Sequence, residues 1–426
     1  MRILLLCIYA VTLSAQTAPV VLRAARMFDG KSDRIVTPGL VVVQGDKIRS
    51  VGALAEIPAG ARVIDLGNAT LLPGFIDAHT HITQPFLRDF REVALYFLRT
   101  AAPERALDAL DNLKRTLDAG FTTVRDLGSR DQLDIALRNA VRNGKVPGPR
   151  IVAASNAIGS TGGHCDPAAG FSLGTLAESG IKNGIASGPD QMREAVRYNA
   201  KLGADVIKLC STGGVLSLTD TVDSAQLTQA ELDAAVEEAH ALGRKTAAHA
   251  HGNEGAKRAI RAGIDSVEHG TFLDDEGLDL MKQKGTYLVP TLMALVGIRE
   301  GLERGAYPPE IAVKGRAAAA ALDVTVRKAI AKGLKIGLGT DAGVYEHGRN
   351  AGEFVELVRL GMRPLDALKA GTMVDAQLLG IEGSAGSLEA GKGADIIAVA
   401  GNPLDDIKAV QNVVFVMKQG SVYKSK

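Results

Sequence analysis

The sequence predicts an α/β protein in which a (β/α)8 TIM-like barrel carries a small β-sandwich domain built from both chain ends. Three observations lead there. Through the middle of the chain, short apolar runs alternate with amphipathic helical segments, the pattern of repeated βα units around a parallel sheet. Eight such runs can be counted, the number that closes a barrel. The two ends instead carry short strands punctuated by turn residues, and neither end is large enough to bury a sheet alone.

Taken in order, Arg2 precedes an apolar run from Ile3 to Leu13, and the small residues Ser14 and Ala15 follow. Residues 1–18 therefore read as a signal peptide cut near Ala15, which makes the protein exported, periplasmic or secreted. The run is too short to span a bilayer, so no membrane contact is expected after its removal. Residues 19–73 alternate apolar runs with turns such as Gln44-Gly45-Asp46-Lys47, and residues 380–426 repeat the style, with Gly401-Asn402-Pro403 between two apolar runs. These two stretches form the expected β-sandwich, and residues 74–379 the barrel. Its strands are expected at 75–78, 121–124, 150–154, 206–209, 246–248, 266–268, 287–289 and 336–338. Thr228-Gln229-Ala230-Glu231 is a capping box, after which Leu232, Ala235, Val236 and Ala239 keep helical spacing up to Gly243. Two connections are long. Residues 155–188, rich in Gly and Ser, read as a functional loop after the third strand, and residues 293–332 as an extra helix before the eighth.

The formal net charge is +1 over 426 residues, with no dense basic or acidic block, so there is no electrostatic footprint for nucleic acid or an anionic membrane. There is no Trp, and aromatic residues make up only 4%, which leaves little surface on which bases could stack. A small-molecule partner is expected. Beyond the leader only Cys165 and Cys210 remain, too few for a disulfide scaffold; they could pair in an oxidising compartment, though nothing in their spacing requires it, and the default reading of Cys210 is a small buried thiol.

Chemistry concentrates at the predicted strand ends, which a barrel gathers on one face. His79 and His81 close the run Gly74 to His81, and residues i and i+2 of a strand point to one side. Lys208 sits inside the apolar fourth strand, where an unpaired ammonium is costly or is forced neutral. The fifth strand ends in His249-Ala250-His251, the sixth in His269 and the eighth in Asp341. Singly, each has an ordinary explanation: a hydrogen-bonded core histidine, a Schiff-base or phosphate-binding lysine, a turn aspartate. Together, imidazoles and a carboxylate on strands one, five, six and eight form a ligand set suited to Zn2+ or a similar divalent ion. Either His249 or His251 could be the ligand from the fifth strand. His164, in the long third loop, reads equally as a pocket residue or an exposed one. Gly213 and Gly214 follow Lys208 closely, so their backbone N–H groups are candidates to receive an anionic substrate group. Tyr345, His347 and Arg349 follow Asp341 and are further candidates, although a solvated loop is the stronger reading for them.

These residues carry a resemblance. Leu72-Pro73-Gly74-Phe75-Ile76-Asp77-Ala78-His79-Thr80-His81, Gly120-Phe121-Thr122-Thr123-Val124-Arg125-Asp126, Val206-Ile207-Lys208, His249-Ala250-His251-Gly252, Val267-Glu268-His269-Gly270 and Gly339-Thr340-Asp341 resemble motifs of the amidohydrolase superfamily of metal-dependent hydrolases. Within it, the chain is similar to the branch of imidazolonepropionase and the Xaa-Pro dipeptidases. The resemblance implies a binuclear centre in which His79, His81 and Asp341 hold a buried ion and His249 and His269 a more exposed one. Zn2+ is the expected metal. Lys208, carboxylated by CO2, would bridge the two ions, and Asp341 would move the proton of a water acidified by them. By the same resemblance His251 becomes a substrate contact. The implied substrate is a small molecule with a carboxylate, an Xaa-Pro dipeptide or an N-acyl amino acid, cleaved at its amide by a homo-oligomer. An aromatic N-acyl amino acid such as ochratoxin is one alternative, and a single-metal deaminase or cyclic-amide hydrolase of the imidazolonepropionase type is the other.

Overall fold

The computed structural model describes residues 18–425; residues 1–17, and with them nearly all of the expected leader, lie outside it. At the N-terminal end run β1 (Val20–Ala24), β2 (Arg26–Met27), β3 (Gly39–Gln44), β4 (Lys47–Val51), β5 (Arg62–Asp65) and β6 (Ala69–Pro73). The barrel strands follow as β7 (Phe75–Thr80), β8 (Phe121–Asp126), β9 (Arg150–Ala153), β10 (Val206–Cys210), β11 (Lys245–Ala250), β12 (Ser266–His269) and β13 (Tyr287–Val289). The chain closes with β14 (Ile396–Ala400), β15 (Val413–Lys418) and β16 (Ser421–Ser425).

The end strands form two sheets, β4-β3-β1-β5 and β16-β15-β14-β6-β2. Their alternating apolar residues meet: Leu22, Val41, Val43 and Ile48 from the first pack in one buried cluster with Leu71, Ile396, Phe415 and Met417 from the second. β6 pairs antiparallel with β14, so the two chain ends share a sheet.

In the barrel, β7-β8-β9 and β10-β11-β12-β13 are two runs of parallel neighbours in chain order. They join where the Ile158 N–H donates to the Lys208 carbonyl at 2.8 Å. The eighth strand expected at 336–338 is not a regular strand. It makes a single bridge to β13, and the Ala78 N–H donates to the Leu338 carbonyl at 2.8 Å, which closes the ring onto β7. The physical reason is close approach: a Cβ at Gly339 would overlap Val289 and His79, so the backbone lies nearer its neighbours than a regular ladder permits.

After β7 come α1 (Phe90–Arg99) and α2 (Ala102–Asp118), and after β8 comes α3 (Leu133–Arg142). α4 (Pro189–Leu202) precedes β10, and α5 (Gln229–Ala241) starts at the Thr228 capping box with both of its hydrogen bonds made. Its Leu232, Ala235, Val236 and Ala239 are buried, and Gly243 beyond its end has φ +68°. α6 (Asn253–Ala262) and α7 (Asp275–Lys284) complete the next two units. The extra helix expected at 293–332 is two helices, α8 (Leu292–Glu303) and α9 (Pro309–Lys332). Gly305, at φ +67°, turns the chain between them, and Pro308 caps the second. No helix among the described residues is long and apolar enough to cross a membrane.

Cys210 is not a free thiol. The loop after β9 folds back over the end of β10, bringing Cys165 to a Cα separation of 6.1 Å from Cys210, and the two sulfurs are bonded.

Candidate metal centre

The ends of β7, β10, β11 and β12, together with the chain after Leu338, open into one cavity of about 320 Å³. The His79 Nδ1 stands 2.8 Å from a Glu268 carboxylate oxygen and donates to it, which leaves Nε2 bare and 3.5 Å from Asp341 Oδ1. His81 gives its Nδ1–H to the Gly128 carbonyl at 3.1 Å, leaving its own Nε2 3.3 Å from the same oxygen. Asp341 Oδ1 is buried without a hydrogen bond. Ligands about 2.1 Å from one tetrahedral ion stand about 3.4 Å apart, and both bare nitrogens stand near that spacing from the Asp341 oxygen.

A second group lies beside the first, with the His269 and His79 ring centroids 5.2 Å apart. His249 Nε2 donates to the Gly213 carbonyl at 3.2 Å, so its Nδ1 is bare. His269 gives its Nδ1–H to Thr291 Oγ1 at 2.7 Å, since the Thr291 hydroxyl itself donates to the Pro290 carbonyl, and its Nε2 is bare in turn. These two bare nitrogens face each other at 3.1 Å. Two lone pairs at that distance repel unless a cation lies near both. His251 joins them: the ligand atoms of His249, His251 and His269 all lie within 4.8 Å of one another. The sequence motif therefore supplies both of its histidines to the cluster, and His251 also holds Thr271 Oγ1 at 2.7 Å.

Burial keeps most of these imidazoles in ligand form, whereas at His81 the lowering by burial is outweighed by Asp341, which raises it. Desolvation, reinforced by Lys208, pushes His79 down to about 4, and burial with neighbouring imidazoles holds His249 and His269 well below the usual histidine range. Burial alone would raise the Asp341 carboxyl, yet His79 and His81 hold it far below the ordinary carboxylate range. Burial lowers the Lys208 ammonium to about 8 against the opposing pull of Glu268 and Asp341. Its amine is buried and makes no hydrogen bond or ion pair with a described residue. Two of these residues occupy strained backbone, His269 at φ +68° and Asp341 at φ +58°, conformations that aim side chains at a functional site at a conformational cost.

The structure corrects two readings around this centre, the glycine cradle and the solvated loop. Gly213 and Gly214 do not offer N–H groups: Gly213 donates to the Ser224 carbonyl at 3.0 Å, and Gly214 to Ser217 Oγ at 3.3 Å and Asp220 Oδ1 at 3.4 Å. Gly213 turns its carbonyl oxygen toward His249, which repels a carboxylate. Gly214 matters for space instead, because a Cβ there would overlap the His164 ring. His164 does line the cavity, stacked on His249 with ring centroids 4.1 Å apart. Tyr345 and His347 are not solvated but buried, and the His347 Nε2 lies 3.2 Å from the Gln84 carbonyl. Arg349 is tied to Glu300 at 2.6 Å.

The sequence reading missed the pair Arg125 and Glu268. Arg125 donates to one Glu268 oxygen at 3.0 Å and Ser266 to the same oxygen at 2.5 Å, while the other oxygen holds His79. Burial would raise the Glu268 carboxyl, but Arg125 and His79 bring it down to about 2. The signal was available: Arg125 and Glu268 are charged residues inside barrel strands, and each must find a partner. Glu268→Gln leaves the buried Arg125 without its ion pair and loosens the tautomer lock on His79. Zn2+ affinity, measured by chelator competition on protein whose fold is verified by melting, should fall by about 10- to 100-fold. Unchanged affinity would remove Glu268 from the centre.

A closed α/β barrel whose strand ends turn bare imidazoles, a carboxylate and a partnerless lysine into one cavity has the form of a metal-dependent hydrolase, and two groups of its residues could hold divalent ions. The chain belongs to the amidohydrolase family, whose sequence profile matches residues 70–423. It is 32% identical to ochratoxinase of Aspergillus niger over 95% of this chain and 86% of that one. A crystal structure of a Xaa-Pro dipeptidase with bound methionine superposes with a TM-score of 0.91 at 40% identity, covering 96% of this chain and all (100%) of that one. A prolidase complexed with N-methylphosphonate-L-proline superposes with a TM-score of 0.87 at 30% identity, with coverage of 96% and 100%. The chain is an enzyme that acts on carbon–nitrogen bonds.

Proposed function

We propose that this enzyme is a two-metal amidase that hydrolyses small amides bearing a carboxylate, Xaa-Pro dipeptides first among them. The observation that carries the reading is the pair of bare-nitrogen clusters, His79 and His81 with Asp341 and His249 with His269, which line one cavity with the partnerless Lys208. The donor set suits Zn2+. Lys208 lies low enough for a substantial neutral amine fraction near pH 8, and neutral amine is the form that adds CO2. Carboxylation replaces a buried cation with anionic oxygen, which suits a bridging ligand between two cations. Divalent ions held there would polarise the amide carbonyl and acidify water. Asp341 Oδ1, buried and without a hydrogen bond, accepts a proton on the metal side and returns it to the departing nitrogen. His164, packed on His249 at the cavity wall, faces the substrate.

The test is hydrolysis of Xaa-Pro, Xaa-Phe, Xaa-Arg and N-acyl amino acid panels by protein reconstituted with Zn2+ in bicarbonate. Turnover should track a metal content near two per chain and disappear on chelation. A content near one, with full activity, would favour the single-metal alternative. A second substrate, an aromatic acyl amino acid of the ochratoxin kind, is favoured by the apolar wall of Val215, Leu216, Leu295, Ile298 and Leu322 on one side of the cavity.

A further inference from the structure

The cavity has two unlike sides. One is the apolar wall above, supplied after β10 and by α8 and α9. The other is supplied by α1, α2 and the chain leaving β8, and it holds Phe97, Arg105 and Arg130. The guanidinium of Arg130 lies 4.8 Å from the centre of the Phe97 ring, and that of Arg105 lies 5.5 Å from it. The two cations differ in their partners. Arg105 is paired with Asp131. The nearby Asp166 accepts the Gly162 N–H at 2.8 Å and the Ala168 N–H at 3.0 Å. Both neighbouring carboxylates are thus engaged, and the side chain of Arg130 makes no hydrogen bond or ion pair with a described residue.

Its position ties it to the chemistry. The Gly128 carbonyl fixes the His81 ring, and Arg130 stands two residues beyond, at most about 7 Å along the chain. An anionic group next to the scissile amide needs a donor within such a distance, and the glycine turn after β10 presents a carbonyl instead. A guanidinium stacked on an aromatic face is held in plane, with its donors free for bidentate contact with a carboxylate.

We propose that Arg130, braced on Phe97, receives the substrate carboxylate, so that this side of the cavity selects anionic amides while the apolar wall accepts the other half of the molecule. The assignment rests on the amide-hydrolase reading given under Proposed function. The test uses the reconstituted holoenzyme and matched pairs of dipeptides or N-acyl amino acids, one with a free carboxylate and one capped as the primary carboxamide. The unmodified enzyme should prefer the free acid. Arg130→Met should lower kcat/KM for the free acid about 10- to 100-fold, mainly through KM, and leave the carboxamide nearly unaffected. Arg130→Lys, which keeps the charge without the planar fork, should fall between. An unaltered melting temperature separates these effects from misfolding. If the methionine variant keeps the original preference for the free acid, the assignment to Arg130 is overturned while the amide-hydrolase reading stands. If the unmodified holoenzyme cleaves neither member of any pair, that reading fails and this one with it.

Discussion

Lys208→Ala should reduce turnover by at least about 10³-fold and bring the metal content of reconstituted protein below two per chain. Among the described residues, the lysine is the buried amine in the cavity that has no partner, and it shares that cavity with two clusters of bare imidazole nitrogens. Its removal deletes the anionic bridge expected between them, and functions that act as a unit are lost together. The sign of the pH dependence follows from its lowered pKa. Below about 8 the ammonium form dominates and cannot add CO2; as pH rises toward that value the neutral fraction grows about tenfold per unit, then levels off. Activation of metal-depleted protein at constant dissolved CO2 should therefore accelerate from pH 6.5 to 8 and plateau above. Alanine protein with two ions and ordinary turnover would defeat the bridging role, and borohydride trapping of substrate on Lys208 would redirect it to Schiff-base chemistry.

Asp341→Asn is the second large effect. The replacement is nearly isosteric and keeps a carbonyl oxygen for His79 and His81, but it takes away the anion and the proton acceptor. Loss of general acid–base help alone costs about 10²- to 10⁴-fold. The loss should fall on kcat, with KM changed by less than about threefold, because Asp341 is aimed at the imidazoles. Steady-state kinetics at saturating Zn2+ would decide: a kcat within tenfold of the unmodified enzyme assigns the proton transfer elsewhere.

The metal-directed residues were legible because chemistry and periodicity coincide at barrel strand ends. His79 and His81 alternate on one strand, and Lys208 interrupts an apolar run where a cation is expensive. What sequence did not yield was which residues share a barrel layer. Arg125 and Glu268 are 143 positions apart, and only the closed ring sets them side by side beneath His79. The glycines after β10 failed as an anion cradle for a related reason: turn composition does not fix which way a peptide unit faces. Tyr345 and His347 looked loop-like because Gly and Asn surround them, although tertiary packing buries both. The eighth barrel segment was found in place, but its glycines allow an approach too close for a regular ladder.

The bond between Cys165 and Cys210 has a consequence for how the enzyme comes into being. It closes a ring of chain with a sequence separation of 45, which in the chain-entropy view restrains the unfolded ensemble by about 4 kcal/mol. Within that ring lies the larger part of the third loop, from Cys165 on, whose one helical turn is the short one at Ile181–Asn183. One sulfur is next to His164 in sequence and the other is two residues past Lys208. Two thiols become one bridge only by giving up two electrons and two protons, so closing this wall of the cavity needs an electron acceptor. Chain made without one keeps two thiols at this place, and the wall beside His249 lacks its covalent tie.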